Sequence, residues 1–188
     1  MNNPEYVKID DKKYKINTDY RNVLKLDEIA KDKTISEYEK MLAYIYIFYG
    51  EEGLKDEQNY ERLLNSMFVF IQGRPSARKE NGKNIEQDMD YQQDMNLIIS
   101  SIWSEYGIDI TKEKIHWWTF FDLLNGLSSD CVLNRIREIR TKDISKIKDK
   151  DERDAYIELK NVWGLDKTAE MTEEQKRSSE EFYKNFVF

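Results

Sequence analysis

One histidine, His116, and one cysteine, Cys131, bound the side-chain chemistry this sequence offers. A histidine works as a general base when a nucleophile lies on one side of the ring and an orienting acid on the other. Serines and aspartates are plentiful, but no GxSxG elbow surrounds a serine, and Cys131 lacks the setting of a papain-type nucleophile. Structural zinc takes four Cys or His ligands, and this chain offers one of each. Acidic pairs such as Asp88 and Asp90 lack the spaced calcium loop with its central glycine. Among 37 acidic residues such pairs are expected on a solvated surface. A glycosidase-type carboxylate pair is defined only by meeting in space, so spacing selects none. The stretch GRPSARKENGKN (73–84) carries Arg74, Arg78, Lys79 and Lys83. It is no phosphate loop: no glycine sits five residues before Gly82, and Asn84 stands where Ser or Thr would bind the metal. We read it as a flexible basic loop, and expect no catalytic residue, no cofactor and no metal.

The histidine stands in EKIHWWTFFDLLNGL (113–127), beside two of the four tryptophans. On a helix, with 100° per residue, Trp117, Phe120, Phe121, Leu123, Leu124 and Leu127 share a wide apolar face that must be buried, with His116 at its edge. His116 then reads as a packed histidine with a ring N–H on a nearby carbonyl. Trp118 falls on the other side, aligned with Asp122 and Asn125, so the adjacent tryptophans are expected to meet different surroundings. Trp118 is either packed on a neighbouring element or an anchor for a protein partner, since tryptophan is enriched in interface hot spots. The terminal FYKNFVF leaves the same choice open. The candidate partner-binding residues are therefore Trp118, Asp122, Asn125, Phe186 and Phe188.

Composition says what must position these side chains. A chain of 188 residues with 12 Tyr, 8 Phe and 4 Trp has the means to build a core despite 36% charged residues. Seven glycines and two prolines favour long helices over a turn-rich sandwich or barrel. The formal net charge of −7 opposes a broad phosphate-binding surface, so nucleic acid is not expected as a partner. MNNPEYVKID lacks the apolar core of a secretion signal, and one cysteine forms no internal disulfide, as suits a reducing cytoplasm. The most apolar run, MLAYIYIFY (41–49), is far short of the roughly 20 residues that span a bilayer, so no membrane span is expected.

Along the chain, YVKIDDKKYKI (6–16) alternates with period two around a charged turn and reads as a β-hairpin. Thr18 or Asp19 caps a following helix that carries Tyr20, Val23, Leu24 and Asp27. Thr34 or Ser36 starts the next, with Tyr38, Leu42, Ile45 and Tyr49 in one stripe flanked by Met41 and Phe48. NYERLLNSMFVFIQ repeats the spacing with Tyr60, Leu64, Met67 and Ile71, so these two helices form an antiparallel hairpin. From Glu86 the helical stripe is Tyr91, Met95, Ile98, Ile102 and Tyr106, widened by Leu97, Ile99 and Trp103 and ended by Gly107. A later helix places Val132, Ile136 and Ile139 inward, and the next carries Tyr156, Leu159 and Trp163 at helical spacing. Thr172 with Gln175 forms a capping box for a last helix carrying Phe182, Tyr183 and Phe186.

Three segments in succession, YKINTDYR (14–21), YGIDIT (106–111) and HWWTFFDLLNGL (116–127), resemble the bacteriophage gene-product-fifteen family over roughly residues 5–165. One departure lies in the hairpin turn, where the family often has glycine and this chain has Asp11 or Lys12, leaving the turn type open. The resemblance implies a non-enzymatic role in phage or prophage tail morphogenesis. It implies a tail assembly chaperone that binds the tape-measure protein and keeps it soluble while tail-tube subunits polymerise. The rival is a structural tail completion or connector protein retained in the virion.

The expected molecule is thus mainly α, a single-domain multi-helix bundle with a small N-terminal β-hairpin. The helical domain covers 1–165, and a C-terminal helical extension covers 166–188. Expected partners are the tape-measure protein, the tail-tube protein, an upstream chaperone subunit or further copies of the chain, in the cytoplasm of the bacterial host, with no nucleic acid and no membrane.

Overall fold

The computed structural model describes residues 3–73 and 87–166. The chain is mainly α-helical with one small antiparallel hairpin, β1 (Tyr6–Ile9) and β2 (Lys12–Lys15), at its N-terminal end. Seven α-helices follow among the described residues: α1 (Tyr20–Lys31), α2 (Glu37–Leu54), α3 (Tyr60–Ile71), α4 (Met95–Tyr106), α5 (Trp117–Asn125), α6 (Val132–Thr141) and α7 (Lys150–Trp163). The chain divides into two compact units. The first holds the residues up to 77 and Lys114–Phe121; the second holds 78–113 and 122–168. The basic loop is outside the described residues apart from Gly73. So are the last helix, Phe186 and Phe188.

In the first unit, β1 and β2 pair with Tyr6 opposite Lys15 and Ile9 opposite Lys12. The turn residue Asp10 takes a left-handed φ of 51° where glycine would be unstrained. The hairpin buries Ile9, Tyr14 and Ile16. Tyr14 donates its hydroxyl to Asp56, which also receives Lys12 Nζ at 2.9 Å and Asn59 Nδ2 at 3.0 Å. These donors hold the Asp56 carboxyl down at about 2, the Tyr14 hydroxyl having the largest effect.

Asp19 caps α1 through Arg21 N at 3.0 Å. Ser36 and Glu39 form a reciprocal capping box at the start of α2. Lys40, nearly buried, reaches back from α2 to the Ala30 carbonyl at 3.3 Å near the end of α1, as well as to Glu37. Helix α2 does not stop at Tyr49 as its apolar run does. It breaks at Gly50 (φ 68°, ψ −159°) and resumes to Leu54, and only glycine takes that backbone freely.

Tyr44 meets Phe68, Tyr49 donates to the Leu63 carbonyl, and Tyr60 donates to the Leu54 carbonyl, so α2 and α3 run antiparallel as their spacing predicts. The stripes are shifted from the expected ones. Met41, Tyr44, Ile45, Phe48 and Tyr49 face in on α2, and Leu63, Leu64, Met67 and Phe70 on α3, while Tyr38 is exposed. The cause is that α2 is apolar nearly all round, so the contact with α3, not periodicity, chooses the buried side.

In the second unit, α4 begins at Met95 rather than Glu86 and ends at Gly107 in the left-handed conformation. Ile98, Ser101 and Ile102 are buried, whereas Trp103, expected in the core, is 54% exposed. On α6, Leu133 and Ile136 are buried and Val132 lies outside, one position off the expected register. Cys131 begins this helix, its Sγ accepting Asn134 N–H at 3.4 Å. A nearly buried ion pair ties the unit together: Arg140 donates to both oxygens of Asp94 at 2.6 and 2.8 Å, to the Asp88 carbonyl at 3.0 Å and to the Trp163 carbonyl at 2.6 Å. Tyr156, Leu159 and Trp163 do lie on one helix, α7, and no residue of that helix is buried. That helix is held by polar groups instead, with Lys160 Nζ on the Arg140 carbonyl at 2.8 Å and Gln93 Nε2 on the Gly164 carbonyl at 2.8 Å. Its aliphatic side chains are therefore not needed for attachment.

Candidate partner-binding site

His116 is a helix cap. It stands at the N-terminal flank of α5, and its Nδ1 accepts the Trp118 N–H at 3.0 Å, one of the amides left without a helical partner. An Nδ1 that accepts a proton bond carries no proton itself, so in the neutral ring the proton is on Nε2, which donates to the Pro4 carbonyl at 3.0 Å. Both ring nitrogens are thereby engaged with backbone groups. The packed histidine with a ring N–H on a carbonyl is what the structure contains.

The backbone on either side of His116 is stitched to the start of α1. Asp19 and His116 form an antiparallel bridge, in which Tyr20 N donates to the Ile115 carbonyl at 3.0 Å and Trp117 N to the Thr18 carbonyl at 2.6 Å. The phrases YKINTDYR and HWWTFF, distant in sequence, thus form one local structure.

The two tryptophans finish it. Trp117, 2% exposed, donates its indole N–H to the Ile71 carbonyl at 2.8 Å, and Trp118, half-buried, donates its own to the Phe70 carbonyl at 2.8 Å. Both acceptors lie in the last turn of α3, where carbonyls lack i+4 partners, although Phe70 O also takes the Gly73 N–H at 3.1 Å. The WW pair is a side-chain cap on the end of α3. The tryptophans do differ in ring neighbours, Trp117 against Phe120 and Phe121, Trp118 stacked on Phe70, but they converge on one helix end. Periodicity could not show this, because the α3 carbonyls are about fifty residues away in sequence.

Beside the bridge is an open groove of about 710 Å³, lined by Asn3, Glu5, Tyr6, Thr18, Asp19, Lys114, Ile115 and His116. Arg21 binds the Asp19 carboxylate through two nitrogens, at 2.9 and 2.7 Å, and holds it below its usual range. Asp122 and Asn125 are exposed on the second half of α5. Among the described residues no group of three or more His, Cys, Asp or Glu is placed to hold a metal ion, and no helix is long and apolar enough to cross a membrane. Arg137 and Arg140 face Asp88 and Asp94 rather than forming a basic patch.

The largest apolar display that sequence reading missed is on α7. Ile157, Leu159 and Trp163 are each 38% exposed and Val162 is 72% exposed. Ala155, Leu159 and Val162 recur at i, i+4 and i+7, which makes one apolar stripe open to solvent. The helical spacing was visible in the sequence, but periodicity alone does not distinguish a core face from a docking face.

The family model described as Bacteriophage Gp15 protein matches residues 1–165. The chain belongs to this family. The matched span holds all three phrases and every described element, including the bridge, the tryptophan cap and the α7 stripe of this family member. No curated protein and no solved structure matches the chain.

Proposed function

We propose that the protein is a tail assembly chaperone that binds the tape-measure protein and keeps it soluble during tail-tube polymerisation. Membership of the phage family supports a phage-related role. The observation that carries the finer reading is α7, a helix with no buried residue and an aliphatic stripe facing solvent. A long helical client with apolar stripes of its own would be held by such a face in the helix-against-helix mode. The acidic exterior of a chain with net charge −7 keeps the loaded complex in solution. Several copies on one client would add through effective concentration while each contact stays weak enough to release.

The contact residues assigned to this role are Leu159 and Val162 first, with Trp163 at the stripe's edge. Trp118 is a secondary candidate, since its ring is half-buried although its N–H is engaged, and the exposed Asp122 and Asn125 offer polar contacts further along α5. Coexpression with the tape-measure protein tests the reading. The soluble and copurifying fraction of the client should rise with the wild-type chain and fall with the Leu159→Ser, Val162→Ser double variant. A client whose solubility is unchanged by the wild-type chain removes the chaperone role.

A further inference from the structure

Among the described residues the outer edge of β1 takes part in no backbone hydrogen bond. In the antiparallel ladder, Ile16 N donates to the Glu5 carbonyl at 3.0 Å, and strict alternation then turns the backbone groups of Glu5, Val7 and Ile9 toward β2. The N–H and C=O groups of Tyr6 and Lys8 point the other way. The sheet has two strands only, and neither residue has a further backbone partner among the described residues. Both are exposed.

The solvent face beside this edge is basic on an acidic protein. Lys8, Lys13 and Lys15 are exposed there, with Lys13 opposite Lys8 and Lys15 opposite Tyr6. None of the three is in a salt bridge among the described residues. Lys13 leans across the ladder, its Nζ 3.9 Å from the centre of the Tyr6 ring, which carries its charge toward the open edge. Tyr6 also lines the groove beside the Asp19–His116 bridge, where Lys114 adds a cation and Glu5 a carboxylate with no salt bridge among the described residues. The edge therefore leads into a cleft rather than ending on a flat surface.

We propose that β1 accepts an extended acidic segment of a partner protein as a third strand, bonded through the main chain of Tyr6 and Lys8, with alternate carboxylates over Lys8 and Lys13. Strand addition supplies affinity through backbone bonds and specificity through every second side chain. Charge selects the occupant. A second copy of the chain would place three more lysines on the same face, and like charges across a ladder repel. A nucleic acid would meet the lysines but leave the strand edge unused. The surface shares no residue with the α7 stripe, so its fate is separable from that of the chaperone reading.

The full chain titrated with the synthetic peptide acetyl-TEVEVET-amide, followed by calorimetry and by amide exchange, tests the proposal. Saturable binding is expected, with new protection of the Tyr6 and Lys8 amides in the wild-type protein. Methylating the peptide nitrogens that face β1 should weaken binding about tenfold or more, the equivalent of one or two lost backbone bonds. Lys8→Glu should weaken it comparably, and the lysine analogue acetyl-TKVKVKT-amide should not bind. Binding that survives N-methylation, or that an oligonucleotide of equal charge reproduces, overturns the strand model. Absence of binding also overturns it and leaves the lysines as guards against edge-to-edge association. Tyr6 and Lys8 amides already protected in the free protein at high concentration would assign the edge to a second copy and overturn it as well.

Discussion

Every buried aromatic of the described residues lies in the first compact unit: Tyr14, Tyr20, Tyr44, Phe48, Tyr49, Phe70, Trp117 and Phe120. The second unit buries isoleucine and leucine, with Ile98, Ile102, Ile110, Leu124, Leu127, Leu133, Ile136 and Ile147, and its Trp103, Tyr106 and Trp163 are exposed. The difference has a structural consequence. Buried Tyr and Trp carry a donor that must find an acceptor. Tyr14 finds Asp56, Tyr49 the Leu63 carbonyl, and Trp117 the Ile71 carbonyl, so the first core fixes directions as well as volumes. Aliphatic side chains fix only volume. In the second unit direction comes from Arg140, whose hydrogen bonds join residues of α6 to Asp88, Asp94 and the end of α7. Aromatics not needed inside are at the surface, where protein contacts favour them.

The largest effect should come from removing that one charge. Arg140→Ala leaves Asp94, 1% exposed, buried without its counterion, a loss of about 3–5 kcal/mol. In urea unfolding followed by amide exchange, α4 and α6 should lose protection first. Equal loss in the hairpin and α1–α3 would break the contrast between the units.

Next is Trp117→Phe, which keeps most of the ring but leaves the Ile71 carbonyl without its donor. About 1–3 kcal/mol should be lost, with faster exchange in the last turn of α3. The same change at Trp118 should cost less, because the Phe70 carbonyl keeps the Gly73 N–H at 3.1 Å. Equal costs would show that the two caps are equivalent. Gly50→Ala should cost about 1–3 kcal/mol as well, from backbone strain alone, since nothing lies within 4 Å of an added Cβ.

Acid acts on carboxyls in both units. Asp56 in the first unit, and Asp109 and Asp143 in the second, are each held down at about 2, below their ordinary value of 3.8. A depressed carboxyl contributes stability above its unfolded value, and that contribution is lost as pH falls from about 4 through 2. NMR titration of Tyr14→Phe should show the Asp56 midpoint moving up, with the second-unit carboxyls unmoved. A midpoint left near 2 would remove Tyr14 as the leading cause. The smallest effect is expected from Asp10→Gly, which relieves a left-handed φ and also removes the exposed Arg62 pair. A gain of up to about 1 kcal/mol in thermal unfolding is expected.

Much was legible in the letters. The hairpin, the Asp19 and Ser36 caps, the α2–α3 pairing and the Gly107 stop follow from rules whose reach is a few residues: alternation, capping chemistry and positive φ. The buried face of α5 was readable in part, with Trp117, Phe120 and Leu124 inside and Leu127 buried just past the helix, while Phe121 and Leu123 are only partly buried. Register failed where a helix is apolar on several sides, at Tyr38, Trp103 and Val132, because local pattern does not say which neighbour arrives. The α7 stripe went unassigned for the same reason. Leu159 and Val162 have the spacing of a core stripe, and only the polar attachment of α7 leaves them outside.

The sequence by itself determined that the chain is mainly α-helical behind a small hairpin, and that α4 stops at Gly107, because these features rest on patterns a few residues long. Tertiary structure alone decided that His116 caps α5, that Trp117 and Trp118 cap α3, and that α7 keeps its aliphatic face in water. Those outcomes depend on donors and acceptors tens of residues apart, and a hydrogen bond between such groups exists only once the fold has brought them within about 3 Å.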